Sequence, residues 1–474
     1  MTKIGNNFSE NISALEEAIG YSVAYDVVKR ELEICGKKAF YYYLFCLTND
    51  LLAEEVIDGY LKAGYAESAE SFVSSFAPVA STRTANDIAQ IAFDLFSGDS
   101  VLIVEGYDKA VISDTKSIPT RSLSEPENDH VLRGPREGFL ENLKENTALL
   151  RKRLKTKDLV MKRFTVGDFA PTAVQICYIR GRAKERLIRD VERKISEIRV
   201  DALSMGQESL AECLTGAKWY NPFPKFRFTE RPDAASAMML EGSVIILCEN
   251  SPMAMILPSS LIDFLQECDD FYFPPSIGSY FRILRLAIFF TSLFLTPLWY
   301  LCVKNPEIVP KYLEFMLPSK EGLPIFAQII FIELILDAIK LASINTPTMM
   351  NGSIGIVAGL IIGDFSVNVG WLTPEVVLYM SIVAISNFTQ PSFELGYAFK
   401  FCRVLTIACI ELFDTPGFII GISASLIMII KNHTVTRKTS YLYPMRPFSW
   451  KALKRQIIRE KLNPESNQSK NSKK

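Results

Sequence analysis

Apolar residues are spread very unevenly along this chain, and that asymmetry limits what it can fold into. Phe281–Ile430 is a succession of apolar runs, whereas Met1–Tyr280 carries charge in nearly every block of ten residues. A bilayer span needs about 20 apolar residues. Ile283–Val303 qualifies, with Arg282 and Arg285 at its entry and Trp299 and Tyr300 as interfacial aromatics. Ser353–Leu372 and Pro374–Phe388 follow, divided at Thr373-Pro374. Phe401–Ile430 would be about 45 Å long as one helix. It is broken by Asp414-Thr415-Pro416-Gly417, which leaves one kinked span or two shorter pieces. Ile325–Ala342 contains Glu333, Asp337 and Lys340 and is read as interfacial or re-entrant.

Charge supplies the orientation. Met1–Glu10 has no basic stretch leading into an apolar one, so no cleaved signal is expected and the first 280 residues are read as cytoplasmic. Lys431–Lys474 holds twelve Lys/Arg against Glu460 and Glu465, which places the tail on the same side. Both ends on one side require an even number of crossings. Four is the preferred count, and six short spans also satisfy the parity. The net charge of −1 argues against a nucleic-acid binder. Nine cysteines without a C-x-x-C pair, and only His130 and His433, argue against a metal site or a disulfide framework. Neither a Ser/His/Asp order nor a phosphate loop is present, so neither an enzyme nor a cofactor is expected.

The first half reads as a duplicated α/β module. Ser100–Glu105 is a short continuous apolar run, the mark of a strand buried on both faces. Helical spacing precedes it over Asn86–Ser97, closed by Gly98, and again over Asn49–Ala63 after a strand at Ala39–Leu47. The order returns with a strand at Thr172–Ile179 and a helix at Lys184–Ile198. Gly242–Glu249 then echoes Gly98–Glu105, and each is followed by a second strand, Lys109–Ser113 or Met253–Leu257. The predicted division is a flexible leader (1–20), a first subdomain (21–116) and a linker with a basic helix from Glu137 to Lys155 (117–157). A second subdomain with its connector (158–280), a helical membrane domain (281–430) and a basic tail (431–474) complete it. The fold class is thus an α/β cytosolic region followed by an α-helical polytopic membrane domain.

Three stretches are long enough to point to a family. They are Val131–Phe139 with Asn146 and Arg151-Lys152-Arg153, then Asn221-Pro222-Phe223-Pro224 with Thr229–Asp233, and then Ile332-Glu333-Leu334 before a glycine-rich span. Over essentially Lys116–Lys438 the chain resembles the A subunits of bacterial spore germination receptors. The run from Gly363-Asp364-Phe365 through Trp371–Glu375 to Gln390–Glu394 resembles a branch that departs from the nutrient-receptor pattern. The resemblance implies an inner spore membrane location and an oligomeric monovalent-cation channel. It also implies work beside other germination membrane proteins, here in an accessory or amplifying role.

The residues offer their own candidates. Gly355, Gly359 and Gly363 recur every four residues and make one smooth helical face, for packing within the subunit, between subunits or along a pore. Glu333 and Asp337 stand one helical turn apart. A carboxylate in hydrocarbon costs roughly 2.5–3.5 kcal/mol, so such residues usually face water or a partner. They either sit on the wet side of an interfacial helix or, with Asp364, form a cation-attracting ring in an oligomer. Glu375, Glu394, Glu411 and Asp414 are read as solvated or paired with Lys400 or Arg403. Arg133-Gly134-Pro135-Arg136, followed by Glu137 and Gly138, is read as a clamp between subdomains rather than an anion site. Asn221-Pro222-Phe223-Pro224 is a stiff connector. Glu230 and Arg231 lead into Pro232, which suits the first turn of a helix ending at Gly242. Lys451–Lys461 is a basic helix, lying on anionic lipid or merely solvated. Two functional readings stand: a channel subunit, and a non-conducting receptor or scaffold whose α/β modules bind a ligand or partner.

Overall fold

Central strands buried on both faces set the architecture of the first half. The structure, a computed structural model, describes residues 3–5, 7–117, 129, 131–216, 220–318, 323–345, 348–432 and 440–459. His130, His433 and the polar stretch 118–128 lie outside the described residues. The chain divides into two compact units, Met1–Ala217 with Phe226–Pro258 and Lys218–Lys225 with Ser259–Lys474.

In the first unit, helix α1 (Phe8–Ile19) precedes β1 (Val27–Ile34) and β2 (Lys37–Leu44). Helices α2 (Asp50–Leu61) and α3 (Ala69–Phe76) follow, then β3 (Arg83–Ala85), α4 (Ile88–Phe96), β4 (Ser100–Val104) and β5 (Ala110–Ser113). The five strands form one antiparallel sheet in the order β1-β2-β4-β5-β3. The period of two in β2 sends Tyr42 and Leu44 to one face, where Leu15, Ile19, Ile91 and Leu95 of α1 and α4 cover them. Ala39 and Tyr41 go to the other face, under Val56, Tyr60 and Phe72 of α2 and α3. Each such aliphatic side chain contributes about 1.5–3 kcal/mol by burial. The result is a three-layer α/β/α sandwich.

The second copy repeats the first element by element. It runs α5 (Leu143–Arg153), β6 (Leu159–Val166), β7 (Thr172–Ile179), α6 (Glu185–Glu197), α7 (Gln207–Thr215), β8 (Arg227–Thr229), α8 (Pro232–Glu241), β9 (Val244–Cys248) and β10 (Ala254–Leu257). Its sheet order, β6-β7-β9-β10-β8, matches strand for strand. The first helices match in detail as well. Asn11 in α1 accepts from Gly5 N at 2.8 Å and donates to Gly5 O at 2.7 Å. Asn146 in α5 accepts from Leu140 N at 2.7 Å and donates to Leu140 O at 2.5 Å. Each buried asparagine thus satisfies both backbone groups of the residue six positions before it.

Two expectations are corrected here. Residues 8–19, expected within a flexible leader, form α1 with Leu15 and Ile19 in the core. The helix expected over Glu137–Lys155 is confined to Leu143–Arg153. Asn142 caps it by accepting from Lys144 N and Glu145 N, and Leu140 is held by Asn146 instead. Both helices open a repeat, so the duplicated unit is longer than the strand echo alone indicated.

The copies are joined through a buried ion pair. Arg151 Nε and Nη2 each donate to an oxygen of Asp26 at 2.8 Å, and both side chains are wholly inaccessible. The remaining donors go to Thr156 O and Leu159 O, while the guanidinium lies 5.1 Å from the Phe96 ring centroid.

The second unit is helical: α9 (Asp269–Tyr272), α10 (Pro275–Lys304), α11 (Ile325–Asn345), α12 (Thr348–Gly359), a π turn over Leu360–Phe365, and α13 (Ser366–Asn368). After these come α14 (Pro374–Phe388), α15 (Phe393–Lys431) and α16 (Trp450–Ile457). Pro275–Lys304 and Phe393–Lys431 are long and apolar enough to cross a membrane, and Gly355–Asn368 and Pro374–Phe388 are shorter apolar helices. α15 is not one rod. Asp414 has φ 53° and ψ −129°, and the chain folds back on itself there. A Cβ on Gly421 would lie 2.6 Å from Thr406 Cα, and one on Gly417 would collide with the Cys409 carbonyl. Gly417, Gly421 and Ser425, four residues apart and all buried, form the face on which the two arms (393–413 and 415–431) meet. Of the two readings left open for Phe401–Ile430, the structure adopts two antiparallel pieces.

Candidate functional site in the helical unit

The apolar helices carry a ladder of opposite charges between them. Glu333 on α11 is 3% exposed and Arg403 on α15 is fully buried. Arg403 Nε and Nη2 both donate to Glu333 Oε1, at 2.9 and 2.6 Å. Lys400, one turn earlier on α15, reaches Glu333 Oε2 at 3.3 Å, donates to the Glu333 carbonyl at 3.0 Å and pairs with Asp337. Asp337 thereby comes to lie beside Glu333, as its one-turn spacing implied. Arg403 Nη1 continues to Ser292 O on α10 at 2.7 Å, and Ser292 Oγ donates to Asn387 Oδ1 on α14 at 2.9 Å. Four helices are tied by this network. Two carboxylates meet two cations, so the ladder itself is electrically balanced.

A cleft beside the ladder is lined by Asp337, Lys340, Asn387, Tyr397 and Lys400. Lys340 does not join the ion pairs. Its ammonium sits 4.3 Å from the Phe393 ring centroid, 4.8 Å from Tyr397 and 5.6 Å from Phe388. Gln328, fully buried on α11, supplies a further tie, donating to Leu323 O and accepting from Thr373 N at the start of α14.

Of the two readings for Glu375, Glu394, Glu411 and Asp414, solvation or pairing with Lys400 or Arg403, the second is not adopted, for those cations serve Asp337 and Glu333. Glu411 and Asp414 instead meet Lys304, at 2.8 and 3.4 Å. The signal was present in the numbering. Acids at 333 and 337 and cations at 400 and 403 sit one turn apart on two apolar helices, and antiparallel packing matches them.

Asp364 is not part of the ladder. It lies exposed on the π turn, accepts from Asn368 Nδ2 at 3.1 Å and makes no ion pair among the described residues. A Cβ on Gly355, Gly359 or Gly363 would meet nothing within 4 Å among the described residues. Ile356, Val357, Leu360, Ile361 and Phe365 on the same segment are exposed.

The remaining motif residues form two joints, one in each unit. In the first, Glu137 pairs with Lys152 at 2.6 Å and Arg153 at 2.9 Å, and Phe139 N donates to Glu230 O at 2.7 Å. Arg231, buried, donates to Pro135 O at 3.1 Å and to Asp233. Asp129 receives Thr229 Oγ1 at 2.7 Å and Glu230 N at 3.0 Å. Gly134 has φ 133°, a conformation costly for other residues, and Gly138 is buried, while Arg133 and Arg136 stay exposed. Pro232 opens α8 and Gly242 closes it at φ 104°. In the second unit, Asn221 Oδ1 accepts from Phe223 N, and Asn432 Nδ2 donates to Pro224 O. Between Pro222 and Pro224, Phe223 enters the core against Phe399 and Tyr441.

A family model described as Bacillus/Clostridium GerA spore germination protein matches residues 13–471. The chain belongs to the GerA family. Stage V sporulation protein AF of Bacillus subtilis (strain 168) is 34% identical over 462 residues, covering 96% of this chain and 93% of that one. Spore germination protein A1 of the same organism is 28% identical, covering 92% and 90%. A crystal structure of the N-terminal domain of the A subunit of the Bacillus megaterium spore germinant receptor GerK3 aligns with a TM-score of 0.40 and 23% identity, covering 54% of this chain and 96% of that one. The GerA match spans both α/β copies and the whole charge ladder.

Proposed function

We propose that this GerA-family chain is a multi-pass subunit of the spore inner membrane that assembles with copies of itself and passes monovalent cations, promoting or amplifying germination. One observation carries the reading. The segment 348–368 presents Gly355, Gly359 and Gly363, bare of neighbours among the described residues, with exposed apolar side chains and an acid that has no ion pair there. Such a segment has lipid or another subunit as its complement, and small residues let helices approach closely. Asp364, repeated around an oligomer, would present an acidic ring that attracts cations. Glu333 and Asp337, balanced by Lys400 and Arg403, act as internal ties.

On this reading α10, α11, the 348–368 segment, α14 and the two arms of α15 give six crossings. The even number puts the α/β region and the basic tail on one side, which the basic tail assigns to the cytoplasm. The relatives' names place them in sporulation and spore germination, and we extend that setting, with other germination membrane proteins as partners, to this chain.

The test is potassium release from liposomes containing the purified protein. The expected result is release above empty liposomes, slowed or less cation-selective in Asp364→Asn at equal protein content. Release equal to empty liposomes would leave a non-conducting receptor or scaffold role.

A further inference from the structure

The last described segment, 440–459, has two chemically different sides. Its sequence carries Arg446, Lys451, Lys454, Arg455 and Arg459 and not one acid. The inward side is fixed to α10. Arg282 donates to Gln456 O at 3.2 Å, Arg459 N donates to Ser279 Oγ at 3.0 Å, and Gln456 Nε2 reaches Asp263 Oδ1 at 3.1 Å. Arg282 is itself paired with the buried Asp270, which Arg285 also meets. The outward side mixes rings and cations: Tyr443, Met445, Phe448, Trp450, Lys451 and Lys454 are all exposed, and the Phe448 and Trp450 rings lie 6.2 Å apart.

An eight-residue helix such as α16 does not hold itself in water. Two large exposed rings beside it call for an occupant that takes both apolar area and positive charge. Rings with a polar edge or flank, interleaved with ammonium groups, match the headgroup layer of an anionic bilayer. The tie to the amino end of α10 holds that edge where the apolar run begins.

We propose that the outward side of 440–459 binds anionic phospholipid at the cytoplasmic face, with Phe448 and Trp450 inserted among headgroups and Lys451 and Lys454 on phosphates. The bound tail then braces the Arg282–Asp270 pair at the foot of α10. This rests on the reading that α10 spans the membrane, but not on ion conduction.

The experiment uses full-length protein in nanodiscs, with Trp219, Trp299 and Trp371 replaced by Phe so that Trp450 alone reports. Quenching by shallowly brominated lipid is compared in phosphatidylcholine with and without phosphatidylglycerol. Each ammonium near an anionic surface is worth roughly fivefold in partitioning. Quenching about twofold stronger with phosphatidylglycerol, lost in high salt and in Lys451→Gln/Lys454→Gln, is expected. Equal quenching in both bilayers, or quenching unchanged in the double variant, would overturn the proposal. So would protection of Trp450 from aqueous acrylamide without any lipid quenching, which would mean a protein covers it. None of these readings depends on whether the chain conducts ions.

Discussion

Arg403 places two nitrogens on a single oxygen of Glu333 and leaves the other oxygen to Lys400. The carboxylate is thus claimed from two sides in a buried place. Removing one partner from a buried pair typically costs about 3–5 kcal/mol, because the survivor stays buried and unmatched. Glu333→Gln or Arg403→Met is therefore expected to lower the protein's abundance in membranes and its melting temperature in detergent. The double variant Glu333→Leu/Arg403→Met should recover part of the loss. Wild-type melting in Glu333→Gln would show that the ladder is not a structural tie.

The Asp26–Arg151 pair should behave in the same way in the α/β region, residues 1–259, which we expect to fold alone. Asp26→Ala should cost about 3–5 kcal/mol in urea unfolding followed by near-UV circular dichroism. The exposed Lys144–Asp50 pair, 2.8 Å apart, is the control: Asp50→Ala should cost at most about 1 kcal/mol. Equal costs would refute the distinction.

Acid should weaken the same region through Glu137. Partial burial disfavours its charged form, but Lys152 and Arg153 outweigh this and hold its carboxyl below the ordinary glutamate range. A depressed folded value means the contribution is present above the unfolded pKa, about 4.3, and fades as pH falls through the folded one. The urea midpoint should drop as pH falls below about 4.3. The drop should be shallower in Glu137→Gln, and an identical slope would count against the bridge.

Thiol labelling offers a check on burial. Burial pushes the Cys46 and Cys177 thiols up, and Cys248 up to about 11, whereas Cys35 and Cys213 are exposed. Mass spectrometry of natively labelled residues 1–259 should find maleimide on Cys35 and Cys213 alone. Rapid labelling of Cys46 or Cys177 would contradict the sandwich packing.

Two glycines should respond oppositely to enlargement. Gly421→Leu drives a side chain into Thr406 across the hairpin, and overpacking of this kind costs at least about 1–3 kcal/mol. Its abundance should fall. Gly359→Leu meets nothing within the described chain, so abundance should hold while crosslinked oligomers in membranes weaken. Loss of abundance in both would mean that the Gly359 face packs within the subunit.

Local patterns made much of this readable. The β7 run Thr172–Ile179 and the α8 frame from Pro232 to Gly242 are set by short-range chemistry, and the structure has them where the spacing put them. Helix α1 was missed and α5 was read as part of a linker, because what marks each as the start of a repeat is a single buried asparagine, Asn11 or Asn146, reaching back to an irregular segment. Glu10-Asn11 and Glu145-Asn146 share that signature, but two residues are too short a match to stand out. The partners of Glu333 and Asp337 lie some sixty to seventy residues away, and only the antiparallel packing of α11 on α15 joins them. The unpartnered side of 348–368 has no counterpart within one described chain, so its role was not legible from local pattern.

If α11 crosses the membrane as proposed, the charge ladder would also impose an order on biogenesis. Glu333, Asp337 and Lys340 precede Lys400 and Arg403 in the chain, so on the six-crossing proposal α11 would reach the insertion machinery with charges that hydrocarbon disfavours. Its acids would be matched only once the first arm of α15 packs beside it. The hairpin at Asp414 follows at once and seals that arm with Gly417 and Gly421. On that proposal, a nascent chain that ends in the loop after α14 would hold a helix whose acids still lack Lys400 and Arg403.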